Sequence, residues 1–329
     1  MFTDAVKEKS IDSFPAAHCI ILRMSKIVVV KGAGGDKRKG LSADHYRVML
    51  EQGLSALANE SSADAAVRKY IPSGPVGMKT NCLARRLNST PIALVDALTA
   101  ILTSAGIDEN DIVVWERSSA ELERAGFKLN ASSFGRRCFG TDTGGVGYSR
   151  DFFSFGKVNS LVSRVMTDIV KYNINLPVLK DHSIAGLSGG MKNMYGAINN
   201  PNKYHVPNCD PFAAHVSMLE PIREKNRLTI IDAVKVQYNA GPGYDSRHIA
   251  YYGGLIIGDD PVAVDRIGFQ ILEHYRKING LPSLEKAGRP VHYLKSAEQA
   301  GLGVADINRI YVDVMLVDKD GRTKKGDLL

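Results

Sequence analysis

Cysteine is scarce in this 329-residue chain, and the four that occur (Cys19, Cys82, Cys138 and Cys209) are scattered with no C-x-x-C pair. That spacing excludes a zinc site of ordinary ligand pattern and a ferredoxin-type cluster. A reducing, cytoplasmic compartment is the expectation. No run of about 18 apolar residues is present, so no membrane partner is expected. The first 23 residues mix Asp4, Glu8 and Asp12 with Lys7 and Lys9 and lack a basic leader or an arginine pair. They do not read as a signal. A strand-like run begins just after Met24, so residues 1–23 are expected to be a disordered extension or to precede the natural start. Short-period repeats and low-complexity tracts are also missing.

Charge of one sign is in modest excess: 42 Lys and Arg against 35 Asp and Glu give a net +7. The surplus falls in small clusters (Lys37, Arg38, Lys39; Arg85, Arg86; Arg136, Arg137; Lys324, Lys325). No basic tract, helix stripe or aromatic-interleaved patch accompanies them, which points away from nucleic acid. A small anionic ligand accounts for the excess with fewer residues. Homo-oligomerisation is left open.

What is present is an ordinary globular composition, 44% hydrophobic and 23% charged, in a chain long enough for one large domain or two. Short β-branched runs alternate with helical patterns, the mark of βαβ units and mostly parallel sheet. Residues 26–31 (KIVVVK), 76–80, 111–115 (DIVVW), 175–179, 228–234, 255–258 and 310–317 (IYVDVMLV) read as strands. Residues 42–59, 91–106, 118–126 and 212–225 read as helices, the second with a hydroxyl cap from Ser89 or Thr90, Pro91 in its first turn and Gly106 after its end. Asp260 is expected to cap a further one with Pro261 in its first turn and Val264, Ile267, Ile271 and Tyr275 inward. Gly32, Gly34 and Gly35 read as a plain turn. A hinge is placed in the Gly- and Arg-rich stretch 136–147, giving a first α/β lobe over 24–126 and a second over 127–329, with the site in the cleft between them. The last strand is left free to return to either lobe.

The most informative stretch is residues 176–205, LPVLKDHSIAGLSGGMKNMYGAINNPNKYH. A buried strand ends here, and ligands bind at the carboxyl ends of strands in open α/β sheets. His182 then projects beyond the strand as a candidate acid or base, since imidazole exchanges a proton near neutrality. Ser188, Gly189 and Gly190 lead into a short helix carrying Lys192 and Asn193. Glycines at a helix start let an anion approach the free amides, and a lysine one turn on can pair with that anion or react as an amine. Set against this is the plain reading, a glycine turn with solvated lysines and a packed histidine. His205 is a candidate metal ligand, although a lone histidine in a loop is more often surface. Lys79 and Asn81 end the second strand and, with Arg86, could complete an anion site. The loop holding Tyr238, Asn239, Gly241, Gly243 and Tyr244 could cover it.

The stretch LPVLKDHSIAGLSGGMKNMYGAI, with VGMKTN (76–81), Ser89-Thr90-Pro91, LTIIDAVKVQYNAGPGYD (228–245) and GDDPVAVDRIG (258–268), resembles the domain-of-unknown-function family three-six-two. The likeness runs from Met24 onward. More distantly, residues 182–192 are similar to the H-x-x-A-G-x-S-G-G-x-K segment of nickel-pincer lactate racemase. That resemblance implies a lactate-racemase-like fold and an acid/base role for His182 on a 2-hydroxy acid. It implies Lys192 as tether of a nicotinate-derived nucleotide, nickel binding by His205, and phosphate contacts from Ser89 and Thr90. The sequence departs from that pattern at Arg85-Arg86-Leu87-Asn88, which holds no carboxylate. It departs again at Trp115-Glu116-Arg117-Ser118-Ser119, where a Thr-His-Arg signature and its second catalytic histidine would stand.

The expected protein is therefore a two-lobed α/β enzyme, racemase-, epimerase- or oxidoreductase-like, acting on a small anionic substrate. His182 and Lys192 are its catalytic pair. Lys79, Asn81, Arg86, Ser89, Thr90, Ser188, Gly189, Gly190, Lys192 and Asn193 would hold a phosphate-bearing, nickel-pincer-type or other nucleotide-derived cofactor. The competing class is a non-catalytic anion-binding, metal-ligand-binding or maturation protein built on the same cradle.

Overall fold

A computed structural model describes residues 24–32 and 40–329. Residues 1–23, most of the Gly32 turn and the Lys37, Arg38, Lys39 cluster lie outside the described residues. The strands are β1 (Ser25–Gly32), β2 (Val76–Lys79), β3 (Ile112–Glu116), β4 (Arg137–Gly140), β5 (Phe153–Phe155), β6 (Val158–Ser160), β7 (Tyr172–Asn175), β8 (Val178–His182), β9 (Gly186–Ser188), β10 (Asn226–Gln237), β11 (Ile249–Ala250), β12 (Gly254–Gly258), β13 (Ile310–Val317) and β14 (Thr323–Lys325). The helices are α1 (Ala43–Ala58), α2 (Ala63–Tyr70), α3 (Ile92–Ser104), α4 (Ser119–Ala125), α5 (Gly190–Asn193), α6 (Phe212–Ser217), α7 (Glu220–Lys225), α8 (Pro261–Ile278) and α9 (Tyr293–Gln299).

Twelve of the strands form one mixed sheet whose main path runs β14-β13-β1-β12-β10-β7-β2-β3-β4, with β8, β9 and β11 joined through β10. β1 lies parallel to β13 and antiparallel to β12, and β7, β2, β3 and β4 run parallel to their neighbours. Strands from both sides of residue 126 thus share the sheet. The period-2 alternation of each strand divides the core into two faces. Ile27, Val29, Val113 and Trp115 pack on one side with α8 residues Val264, Ile267 and Ile271. Val28, Val30, Ile112 and Val114 pack on the other with Leu50 and Leu54 of α1 and Leu94 and Leu98 of α3. The result is an α/β architecture with helices on both faces of a large sheet.

Local chemistry sets the helix ends. The Ser42 side chain accepts the His45 N–H at the start of α1, and Asn59 closes it in the left-handed region at φ 55°. Asp260 accepts the N–H groups of Val262 and Ala263 at the start of α8, as expected from the sequence. Three expectations need correction. The strand read over 175–179 is two strands, because Leu176 and Pro177 interrupt it, and its second part extends to His182. The helix read over 212–225 is two short helices, since Pro221 has no N–H to donate and stands in the first turn of α7 instead. Thr90 does not cap α3: no side chain caps that helix, and the Thr90 hydroxyl donates to Leu176 O at 2.6 Å.

Candidate functional site

β8 brings three ionisable groups into the protein in succession. Lys180 and His182 point to one side of the strand and Asp181 to the other. Asp181 is held by Arg289 Nη1 at 2.6 and 2.8 Å and accepts the Gly241 N–H at 3.1 Å. The loop around Gly241 therefore lies against the Asp181 side of β8.

Lys180 is fully buried and, among the described residues, donates to neutral acceptors, Asn81 Oδ1 at 2.8 Å and Asn88 O at 3.4 Å. Burial lowers its pKa to about 8. Asn81 begins a chain of amides. Its Nδ2 donates to Asn193 Oδ1 at 3.1 Å, Asn193 Nδ2 donates to Asn175 Oδ1 at 2.7 Å, and Asn175 Nδ2 donates to Gly190 O at 2.8 Å. The ends of β2 and β7 are thereby fixed to α5.

Lys79, expected to meet an incoming anion, is 1% exposed and already paired. Its Nζ lies 2.7 Å from Glu116 Oε1 and donates to Thr80 O at 2.6 Å. Gly196 makes room for the pair, because a Cβ there would stand 2.9 Å from both Lys79 Nζ and Glu116 Oε1.

The glycine turn also serves a different purpose from the expected one. The amides of Gly190 and Met191 do not face an open anion site; they donate to the two carboxylate oxygens of Asp265 at 2.5 and 3.0 Å. A Cβ on Gly189 would lie 2.3 Å from Asp265 Oδ1, and one on Gly190 would lie 2.7 Å from Thr229 Cγ2. These glycines admit the α8 carboxylate rather than a ligand. Burial pushes the Asp265 carboxyl up to about 7 against the pull of the two N–H donors. Ser188 is buried opposite Lys180 in the β8–β9 register.

One turn farther on, Lys192 leaves the packed region. Its Nζ stands 4.0 Å from the centre of the Tyr195 ring, and among the described residues no carboxylate pairs with it. Burial lowers its pKa to about 8. Lys192, His205, Tyr195, Asn81 and Asn193 line a cavity of about 190 Å³ that Glu116, Arg117 and Glu121 also reach. The His205 ring lies 5.4 Å from that of Tyr195 and 5.8 Å from that of His182.

The two imidazoles are set differently. His182 is 7% exposed, and its Nδ1 accepts the N–H groups of Ile184 and Ala185, each at 3.1 Å. Backbone amides only donate, so this nitrogen carries a lone pair and the proton is on Nε2. Burial first, and then Lys192 and His205, lower the pKa of His182 to about 3. In this tautomer it offers a neutral hydrogen-bond donor at the position where the sequence placed an acid or base. His205 Nδ1 lies 3.0 Å from Pro201 O, a pure acceptor, so the proton is on Nδ1 and Nε2 carries the lone pair. Burial, followed by Lys192, lowers its pKa as well. Neither Nε2 has a protein partner among the described residues.

Arg86, Ser89 and Thr90 lie elsewhere. They line a separate cavity of about 420 Å³ with Tyr46, Asp232 and Lys235. The expected cofactor residues are therefore split between two places. Among the described residues no group of three or more His, Cys, Asp or Glu is placed to hold a metal. A tethered nucleotide-type cofactor is a poor fit to the hollow. Lys192 offers an amine and His205 a lone pair, but the amides expected to take a phosphate are bonded to Asp265, and about 190 Å³ falls short of the roughly 300–1,000 Å³ of drug-sized ligand sites.

Sequence reasoning assigned no site role to Glu116, Lys180, Tyr195 or Asp265. Lys180 had a signal, a charge directly after the apolar run LPVL. So did Asp265, an acid on the apolar face of α8 between Val262 and Gly268.

Comparison with known proteins gives a match over residues 76–270, more than half the chain, to the family described as Domain of unknown function (DUF362). A crystal structure of a Thermotoga maritima protein is similar at 13% identity over 73% of this chain, with a TM-score of 0.42; the chain spans 60% of the length of that protein. No curated protein matches.

Proposed function

We propose, from the premise that this chain belongs to the DUF362 family, that the hollow beside Lys192 binds a small carboxylate-bearing substrate and moves a proton on it. The observation that carries the reading is the Lys192 ammonium. It is drawn out of water, has no acidic partner among the described residues and borders a cavity with a neutral imidazole. A desolvated charge without a counter-ion is costly, and an incoming anion relieves that cost.

The division expected at residue 126 enters this proposal as a junction. Residues 24–126 supply Asn81 and Glu116, and residues 127–329 supply Lys192, Tyr195 and His205. A 2-hydroxy-acid racemase needs a base on each face of the reacting carbon. Only one of the two imidazoles here has its lone pair free, so a one-sided proton transfer is the reaction form proposed. Lys79, Arg86, Ser89 and Thr90 fall outside this site.

Calorimetric titration with lactate, pyruvate and oxalate tests the reading. Wild-type protein should bind at least one of them, and Lys192→Met should weaken that binding at least tenfold. Failure of all three acids to bind, or equal binding by the variant, would overturn it. Tight Lys192-dependent binding with no chemistry on any acid would favour the non-catalytic carrier.

A further inference from the structure

We propose that His182 and His205 form a fixed donor and acceptor pair, and that the substrate is a small 2-oxo acid from which this pair removes a proton at the carbon next to the carbonyl. The inference rests on the Lys192 reading above and assigns the chemistry of the same site. It starts from two hydrogen-bond patterns that leave no choice of tautomer. Two backbone N–H groups hold His182 Nδ1 as an acceptor, and one backbone carbonyl holds His205 Nδ1 as a donor. The free nitrogens are therefore opposite in kind, an N–H on His182 and a lone pair on His205. Their ring centres are 5.8 Å apart, close enough for one small molecule to touch both.

The Lys192 ammonium and the His205 lone pair border the cavity, and the His182 N–H, on a ring 5.8 Å from that of His205, is the third function: an ammonium for a carboxylate, a lone pair for a C–H proton and a neutral N–H for a carbonyl oxygen. A 2-oxo acid presents those three groups on neighbouring carbons. In the step, the C3–H bond breaks and its proton goes to His205 Nε2. The electron pair moves into the C2–C3 bond, and the C2 oxygen takes the negative charge, held by the His182 Nε2–H. Return of a proton from the His205 imidazolium to C3 closes the cycle, so no oxidant or reductant is consumed. A neutral imidazole donor suits a developing oxyanion, because it need not be deprotonated at working pH.

The test is deuterium incorporation at C3 of pyruvate and 2-oxobutyrate in D2O, followed by proton NMR. Wild-type protein should accelerate exchange of at least one acid over buffer. His205→Gln should lose at least a hundredfold of that rate and His182→Ala a similar factor, the range ordinary for a positioned acid or base. In parallel, two-bond 15N–1H correlation of the histidine rings should report the Nε2–H form for His182 and the Nδ1–H form for His205. Absence of exchange, undiminished exchange in His205→Gln, or the reverse tautomers would each overturn the proposal. Borohydride trapping of a pyruvate adduct on Lys192 would overturn it too, by replacing the enolisation with an imine. Lys192-dependent binding without exchange would sink this inference alone, and loss of binding would sink the parent reading as well. Circular dichroism of each variant separates a folding defect from a chemical one.

Discussion

An ammonium taken out of water holds its proton less tightly, and Lys180 and Lys192 both sit near pKa 8 for that reason. Their partners differ. Lys180 is tied to Asn81 and Asn88 and supports the amide chain, whereas the Lys192 amine borders the cavity. The sign of the pH dependence follows. Below about 8 Lys192 is charged and attracts a carboxylate; as pH rises through 8 the charge is lost. His182 and His205 are both shifted down and are neutral throughout this window, and burial raises the Cys209 thiol. Glu116, Glu121 and Arg117 face the same space, and burial raises the Glu121 carboxyl. Carboxylate affinity should therefore fall about tenfold between pH 7 and pH 9. Calorimetry at the two pH values reads this directly, and an unchanged affinity would mean that Lys192 is not the anion's partner.

At the scale of elements, the short helix carrying Lys192 owes its place to a residue 75 positions away in sequence from Gly190. Asp265 of α8 takes the amides of Gly190 and Met191, and Gly189 and Gly190 let it approach. Asp265→Ala leaves two buried donors without acceptors, a loss of about 1–3 kcal/mol for each group left unsatisfied. Urea denaturation should show a drop of that order, with weaker carboxylate binding as α5 loosens; unchanged stability would remove the capping role. This contact explains why the site was only half legible. Glycine-glycine before a lysine announced a close approach, but a one-dimensional reading assigned it to a ligand because the carboxylate that approaches is remote. Lys79 presents the same problem: its partner Glu116 ends the adjacent strand β3 and becomes its neighbour only when β2 and β3 align. The elements were legible where periodicity was strong, as in β1, α1 and α8. They were misjudged where one proline redirected the chain, at Pro177 and Pro221. Lys192 could be named beforehand because it follows a glycine turn just beyond a buried strand, whereas His205, in a loop farther on, was named through the resemblance.

The whole molecule is governed by the order of its strands. β1 pairs with β12 and β13, which arrive more than two hundred residues later, and β2 and β3 are tied to β10 through β7. Among the described residues of 24–126 the only strand pairing left is β2 with β3, so that segment alone would leave both sides of β1 unpaired and its two apolar faces only partly covered. Such a strand is a site for aggregation, not a stable edge. Folding is expected to be a property of the full sheet, with both faces lost together. Trp115, the single tryptophan, is buried on the α8 face, while far-ultraviolet dichroism reports the helices of both faces. In urea the two signals should fall in one coincident transition, and a fragment of residues 24–126 should show no cooperative unfolding. Two separated transitions, or a fragment that melts cooperatively, would mean that the two halves fold independently. The hollow at Lys192 would then be a junction able to open, whereas a single transition makes it a fixed cavity in a continuous sheet, in which His182 and His205 rest in opposed tautomers between turnovers.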